Sequence, residues 1–297
     1  MSIVYWSYGS GLANRLRALV GYMVMSHVLE QPFYLCWVPD IYCDAEFTDL
    51  FVAPSTIKLI TQLQKDEMEL DQNSSIYTSD DWFYEIWKTH VSSLISANEF
   101  CSLANTYLRG LLPVSSITNA VNKFCHQYSI PTLPGIHIRL TDNVSQFKIW
   151  QERSPYFKPE NISKIEGFER FICDVSKQES NPQLFLATDN QKIERYLKSS
   201  FPGQIITYPK RFRPDQNRRF SWKQQRFESH LQRTSSIKEA LIELLILSRC
   251  KTIVGTYWSS YSQISACLGV NSRYFQVIGD SYAPHEHVEK LRGNIPF

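Results

Sequence analysis

The chain has 297 residues, 43% of them hydrophobic and 20% charged, with a formal net charge of +2. That length suits one large domain or two of ordinary size, and the composition is that of a globular protein rather than a disordered one. The near-zero charge makes no demand for a polyanionic partner, and no run approaches the roughly 18 apolar residues of a membrane span.

The N-terminal MSIVYWSYGSG lacks the basic and apolar regions of a secretory signal, so a cytoplasmic location is expected, with a trimmed lumenal domain as the alternative. Within it IVYWS (3–7) is a predicted strand. Gly9 and Gly11 then permit a tight turn into a predicted amphipathic helix from about Ala13 to Leu29. The start of that helix offers free N–H groups and a positive dipole end to an anion such as phosphate. Asn14 stands where the third glycine of a dinucleotide fingerprint would be, and no Gly-Lys-Ser/Thr follows, so the segment is neither that fingerprint nor a P-loop. Asn14 and Arg15 add an amide and a cation there; equally, Asn14 can cap the helix and Arg15 face solvent.

FYLCWV (33–38) is the next predicted strand, followed by helical patterns near 94–112 and at 115–128. PTLPG (131–135) breaks the chain, and GIHIRLTDN (135–143) follows. Ile136, Ile138 and Leu140 alternate with His137, Arg139 and Thr141, the period of a strand with one polar face. His137 and Arg139 stand side by side on that face, and a guanidinium fork suits phosphate oxygens. The pair can also be a core histidine beside a buried Arg–carboxylate pair, with Asp142 or Asp189 as the acid. A helix at about 161–178, QLFLAT (183–188), a helix at 190–199 and QIITY (204–208) come next. PKRFRPDQNRRFSWKQQRF (209–227) mixes cations with aromatic residues. It reads as a loop covering an anionic substrate; no nucleic-acid-binding module accompanies it, and no nucleic-acid partner is expected.

SSIKEALIELLILS (235–248) opens with a capping box, Ser236 to Glu239. Its nearly all-round apolar pattern buries Glu243, which then needs a partner, either a ligand such as a guanine edge or an arginine such as Arg233 or Arg249. TIVGT (252–256), a helix at about 259–268 and RYFQVI (273–278) complete the series. The seven cysteines contain no C-x-x-C pair. Cys173, Cys250 and Cys267, in apolar surroundings, read as free buried thiols; Cys36 and Cys43 could pair, but nothing requires it. No metal-ligand spacing is present.

Strands alternating with helices predict an α/β protein with parallel sheets and helices on both faces. The break near 131–134 divides it into two Rossmann-like halves, 1–133 and 134–297. Ligands of such sheets sit outside the carboxyl ends of the strands. YGSGLAN, RLTDN, ATDN and GTYWSS all fall there, although Thr141–Asp142 and Thr188–Asp189 could be helix caps.

Taken together, GIHIRLTD resembles the His-x-Arg-x-Thr-Asp motif of the α-1,6-fucosyltransferases. LFLATDN (184–190) and RTSSIKEALIELLILSRCKTIVGTYWSS (233–260) resemble their second and third motifs. GLANRLRAL resembles the first loop of the wider group that includes protein O-fucosyltransferases. The motif order matches over about 250 residues, with little likeness between motifs. The resemblance implies a GT-B-like fold with two Rossmann-like domains facing a central cleft, the first on the acceptor side and the second binding the nucleotide sugar. It implies inverting transfer from GDP-fucose to a glycan acceptor without a metal. Arg139 would bind the β-phosphate and His137 would help hold the nucleotide. Thr188 and Asp189 would line its site, Glu243 would stand for an Asp that reads guanine, and Ser259 and Ser260 would contact the donor. Gly11, Asn14 and Arg15 would approach the pyrophosphate and fucose.

The sequence departs from the pattern at Leu140, where core fucosyltransferases have a second arginine, and at Phe147, where the family has its proposed acidic base. The base would then be Asp142, Glu152 or a first-domain acid such as Asp40, or the hydroxyl would lose its proton late without one. A glycosyltransferase of this fold with another donor, or a non-catalytic nucleotide- or glycan-binding protein, are the alternatives.

Overall fold

The computed structural model describes residues 1–71, 73–78, 81–139, 158–212, 220–221, 226–227, 235–269 and 272–291. The chain forms two compact units. The first comprises Met1–Thr118, Asp215–Leu241 and His287–Phe297. Its sheet has four strands, β1 (Ser2–Ser7), β2 (Phe33–Trp37), β3 (Lys58–Leu59) and β4 (Ser74–Tyr77), in the order β3-β2-β1-β4 and all parallel.

Helix α1 (Leu12–Val28) is buried continuously from Ala18 to Ser26, not on one stripe as its predicted amphipathic pattern suggests. The reason is cover on more than one side. Tyr22 stacks between Tyr5 of β1 and Tyr77 of β4, while the segment Phe83–Ile86 closes on Gly21, whose added Cβ would stand 2.5 Å from Ile86 Cδ1. Among the elements of this unit that the sequence reading does not predict are β3, β4 and helix α2 (Gln62–Leu70). Helix α2 buries only Lys65, so it carries no apolar stripe. Its start is nonetheless marked by a capping box, Thr61 with Gln64. Helix α3 (Ala97–Gly110) falls within the predicted 94–112.

The second unit comprises Asn119–Pro214 and Ile242–Glu286. Its strands are β5 (Pro134–Ile138), β6 (Leu184–Thr188), β7 (Ile205–Ile206), β8 (Thr252–Thr256), β9 (Arg273–Ile278) and β10 (Ser281–Pro284). They lie in the order β10-β9-β8-β5-β6-β7, parallel except for the antiparallel edge pair β9–β10. Every residue of β5, β6 and β8 is buried, as expected for parallel strands covered on both faces.

Helices α4 (Ile165–Gln178), α5 (Gln191–Ser200), α6 (Ile237–Leu247) and α7 (Ser260–Leu268) follow the sequence expectation within a few residues. Helix α6 starts with the predicted capping box, the Ser236 N–H donating to Glu239 Oε2 at 2.9 Å and the Glu239 N–H to Ser236 Oγ at 3.2 Å. On one side of the sheet Ile136, Ile138, Leu184, Leu186, Val254 and Val277 pack with Phe168 and Ile172 of α4 and Leu197 of α5. All seven cysteines are unbridged. Cys173 is exposed rather than buried, because α4 turns Phe168, Phe171 and Ile172 to the core and leaves position 173 outside.

Candidate functional site

In the six-stranded sheet β6 and β7 lie on one side of β5, and β8 and β9 on the other. The strand order therefore reverses between β5 and β8, and open α/β sheets have their ligand crevice outside the carboxyl ends at such a point. Strand β5 stops at Ile138, so Arg139 sits just beyond it. There Thr256, the last residue of β8, takes over the ladder. Its hydroxyl donates to the His137 carbonyl at 3.0 Å and accepts the Arg139 N–H at 2.9 Å.

His137 lies buried on the opposite face of β5 from Ile136 and Ile138. Its ring stacks on Tyr261 of α7 with centroids 4.6 Å apart, and Nδ1 is 3.5 Å from the Ser259 hydroxyl. Burial, and then the positive charges of Arg139 and Lys210, lower its pKa to about 3. The imidazole is thus neutral at pH 7 and contributes hydrogen bonds, not charge. Gly255, in register with His137, lets α7 approach: a Cβ there would stand 2.2 Å from Ser262 Oγ. Ser259 is the N-cap residue of α7 and is buried, while Ser260, the first helical residue, is half-buried. Between β8 and α7, Trp258 holds a φ of 61°, unusual for a bulky residue and typical of functional sites.

Thr188 ends β6. Asn190, rather than Thr188 or Asp189, caps α5, its side chain accepting the N–H groups of Lys192 and Ile193 at 2.9 and 3.2 Å. Asp189 is half-buried between them. Glu243 is buried as expected; Arg233 lies outside the described residues and Arg249 bonds Asn122 instead. One partner of Glu243 among the described residues, not foreseen, is Lys210, four residues past β7, whose ammonium also donates to the Thr188 carbonyl at 2.6 Å.

In the first unit, Gly9 adopts a φ of 76°, the left-handed turn that only glycine makes without strain. Gly11 is the N-cap residue of α1 and Asn14 is half-buried in its first turn. Arg15 does not face solvent. It is fully buried, with Nε donating to the Ser10 carbonyl, Nη1 to the Ser7 and Val38 carbonyls, and Nη2 to Asp40 at 2.6 Å. Asp40 in turn accepts the N–H groups of Gly9, Tyr42 and Cys43 at 2.5, 2.8 and 2.9 Å. Its acceptor positions are thereby spent on the fold, which argues against a role as base. Asp142, Leu140, Phe147 and Glu152 lie outside the described residues.

The expected residues thus gather in two places. His137, Arg139, Thr188, Asp189, Glu243, Ser259 and Ser260 collect at the strand ends of the second unit, and Gly11, Asn14 and Arg15 at the start of α1 in the first. Tyr261 is missed by the sequence reading, and Lys210 and Thr256 enter it only as parts of the basic loop 209–227 and of GTYWSS, with no role of their own. Lys210 could have been found from its place after the QIITY strand, another carboxyl end. Among the described residues no group of three or more His, Cys, Asp and Glu side chains is arranged to hold a metal ion. No described helix is long and apolar enough to cross a membrane.

No family model matches the chain, and no protein of curated function does. Solved structures do. The Bradyrhizobium NodZ α-1,6-fucosyltransferase soaked with GDP-fucose aligns over 93% of this chain and 94% of its own, with a TM-score of 0.54 and 14% identity. A mutant of Arabidopsis thaliana FUT1 in complex with GDP aligns over 93% and 70%, with a TM-score of 0.56 and 14% identity. POFUT1 in complex with GDP aligns over 93% and 97%, with a TM-score of 0.50 and 13% identity. The chain has the fold of these fucosyltransferases. The α/β, GT-B-like class expected from the sequence is therefore the observed one, and the fucosyltransferase fold runs through nearly the whole chain.

Proposed function

We propose that the protein is a glycosyltransferase that moves fucose from GDP-fucose to a hydroxyl of a glycan or glycoconjugate, inverting the anomeric centre without a metal ion. The observation that carries this is Arg139 at the strand-order reversal, in a fold whose neighbours were crystallised with GDP or GDP-fucose. We assign the nucleotide to the half beginning at residue 134 and the acceptor to the first.

In the reaction the acceptor oxygen bonds to the anomeric carbon from the face opposite the phosphate. The bond between that carbon and the β-phosphate oxygen breaks, its electron pair stays on phosphate, and the hydroxyl proton leaves. Negative charge grows on the β-phosphate, where a preorganised guanidinium and helix N–H groups stabilise it. We assign that work to Arg139 and the start of α7, with Ser259 and Ser260 contacting the donor. Neutral His137, Thr188 and Asp189 hold the nucleotide, and Glu243 meets the guanine edge. From the first unit, Gly11 and Asn14 address the pyrophosphate and fucose. Arg15 acts through the loop it braces, and Asp142 is assigned the departing proton.

The test is calorimetric titration with GDP, UDP and ADP in the presence of EDTA. GDP-selective binding is expected, with affinity at least roughly 100-fold lower in Arg139→Ala and transfer abolished in that variant. Selectivity for UDP or ADP would overturn the donor. Full transfer by Arg139→Ala would overturn the mechanism.

A further inference from the structure

The Lys210–Glu243 pair is unexplained by anything above. The two side chains are 1% and 5% exposed. Withdrawing two charges from water is no efficient route to stability, since apolar groups of the same size often serve as well. This pair also lies at the ligand end of the sheet. Lys210 reaches the carbonyl of Thr188, the last residue of β6, and its charge is felt by His137 at the end of β5. An ammonium has three N–H donors. Two are used, on Thr188 and Glu243; the ammonium also lies 5.0 Å from the centre of the Phe212 ring, and among the described residues no third oxygen or nitrogen acceptor is within hydrogen-bonding distance.

We infer that Lys210 and Glu243 read the nucleobase as one unit, the ammonium donating to the O6 carbonyl of guanine and the carboxylate accepting from N1–H and the 2-amino group. This rests on the GDP-fucose reading above and assigns its base selectivity to a residue outside the motifs. A carboxylate alone is a poor discriminator, because it accepts the 6-amino group of adenine as readily as a guanine N–H. An ammonium at position 6 demands an acceptor there and opposes the adenine amine, donor against donor. The carboxylate supplies the complementary test, opposing the 2-carbonyl of uracil and losing a partner with hypoxanthine, which lacks the 2-amino group. Sites built to hydrogen-bond a group reject analogues lacking it by large factors.

The experiment titrates pyrophosphate, GDP, IDP and ADP into the wild type, Lys210→Met, Lys210→Arg and the double variant Lys210→Met/Glu243→Gln. The wild type is expected to prefer GDP over ADP by about 100-fold or more. In Lys210→Met that ratio should fall at least roughly tenfold while pyrophosphate affinity changes less than about twofold, and Lys210→Arg should restore much of it. If Lys210→Met fails to fold because Glu243 loses this counter-charge, the double variant removes both charges of the pair and is read in the same way, with GDP and ADP expected to bind nearly equally. A GDP-selective wild type whose ratio survives in the variants would overturn the inference and leave the donor reading intact. A fall of GDP, ADP and pyrophosphate affinity together would mark Lys210 as merely structural and also overturn it. A wild type without GDP selectivity would overturn both readings.

Discussion

His137 makes the protein's acid stability calculable. Its imidazole is expected to titrate near 6.5 in the unfolded chain, whereas in the folded protein burial and the charges of Arg139 and Lys210 hold it to about 3. Above 6.5 neither state binds the proton, and the stability linked to this group is fully present. As the pH falls from 6.5 toward 3, the unfolded chain takes up a proton that the folded one refuses, and stability is lost at about 1.4 kcal/mol per pH unit. Between pH 7 and pH 4 the loss comes to about 3 kcal/mol. The comparison is with His137→Asn, which keeps a polar group near Ser259 but cannot titrate in this range. Urea unfolding of both proteins at pH 7, 6, 5 and 4 isolates the effect, because the acidic residues and His285 titrate in both and cancel. The wild type should lose about 3 kcal/mol more than the variant. Parallel stability curves would refute the reasoning, since they would mean that the ring accepts a proton in place.

Other consequences follow from the burial pattern. Asp40→Ala strips the buried Arg15 of its counter-charge and leaves the Gly9, Tyr42 and Cys43 N–H groups without their acceptor, which should cost about 3 kcal/mol in urea unfolding. A loss below about 1 kcal/mol would make the pair an ordinary surface contact. Of the seven thiols only Cys173 is exposed, and burial pushes the Cys36, Cys125 and Cys250 thiols up, away from the reactive thiolate. Ellman's reagent should therefore titrate one thiol rapidly in the native protein and all seven in denaturant; a Cys173→Ser variant that keeps the fast phase would contradict the placement.

The sequence was most readable where one signal carried an element. TIVGT and LFLAT, apolar throughout, are the completely buried strands β8 and β6, and the reversal of strand order made their polar ends a place to look. GIHIRL was read as a half-polar strand, yet it ends at Ile138, so Arg139 belongs to the loop and His137 alone faces inward. The exposure of Cys173 was available from the helical spacing of Phe168, Phe171 and Ile172. Pairings across the fold were not. Arg15 finds Asp40 25 residues away and Glu243 finds Lys210 33 residues away, with no local pattern announcing either partner. Arg15, expected at a ligand or in solvent, has a partner in the fold; for Glu243 a fold partner was among the expectations, but as an arginine and not as Lys210.

For Arg15 that partner changes how the β1–α1 loop meets an anion. Its cation is cancelled by Asp40 at contact distance, so what the loop presents is the row of backbone dipoles at the start of α1. A dipole field dies away faster than that of a lone charge and is confined to the first helical turn. A loop of this kind draws nothing from afar. It greets an anion only on arrival, within the first helical turn, and adds little to long-range steering.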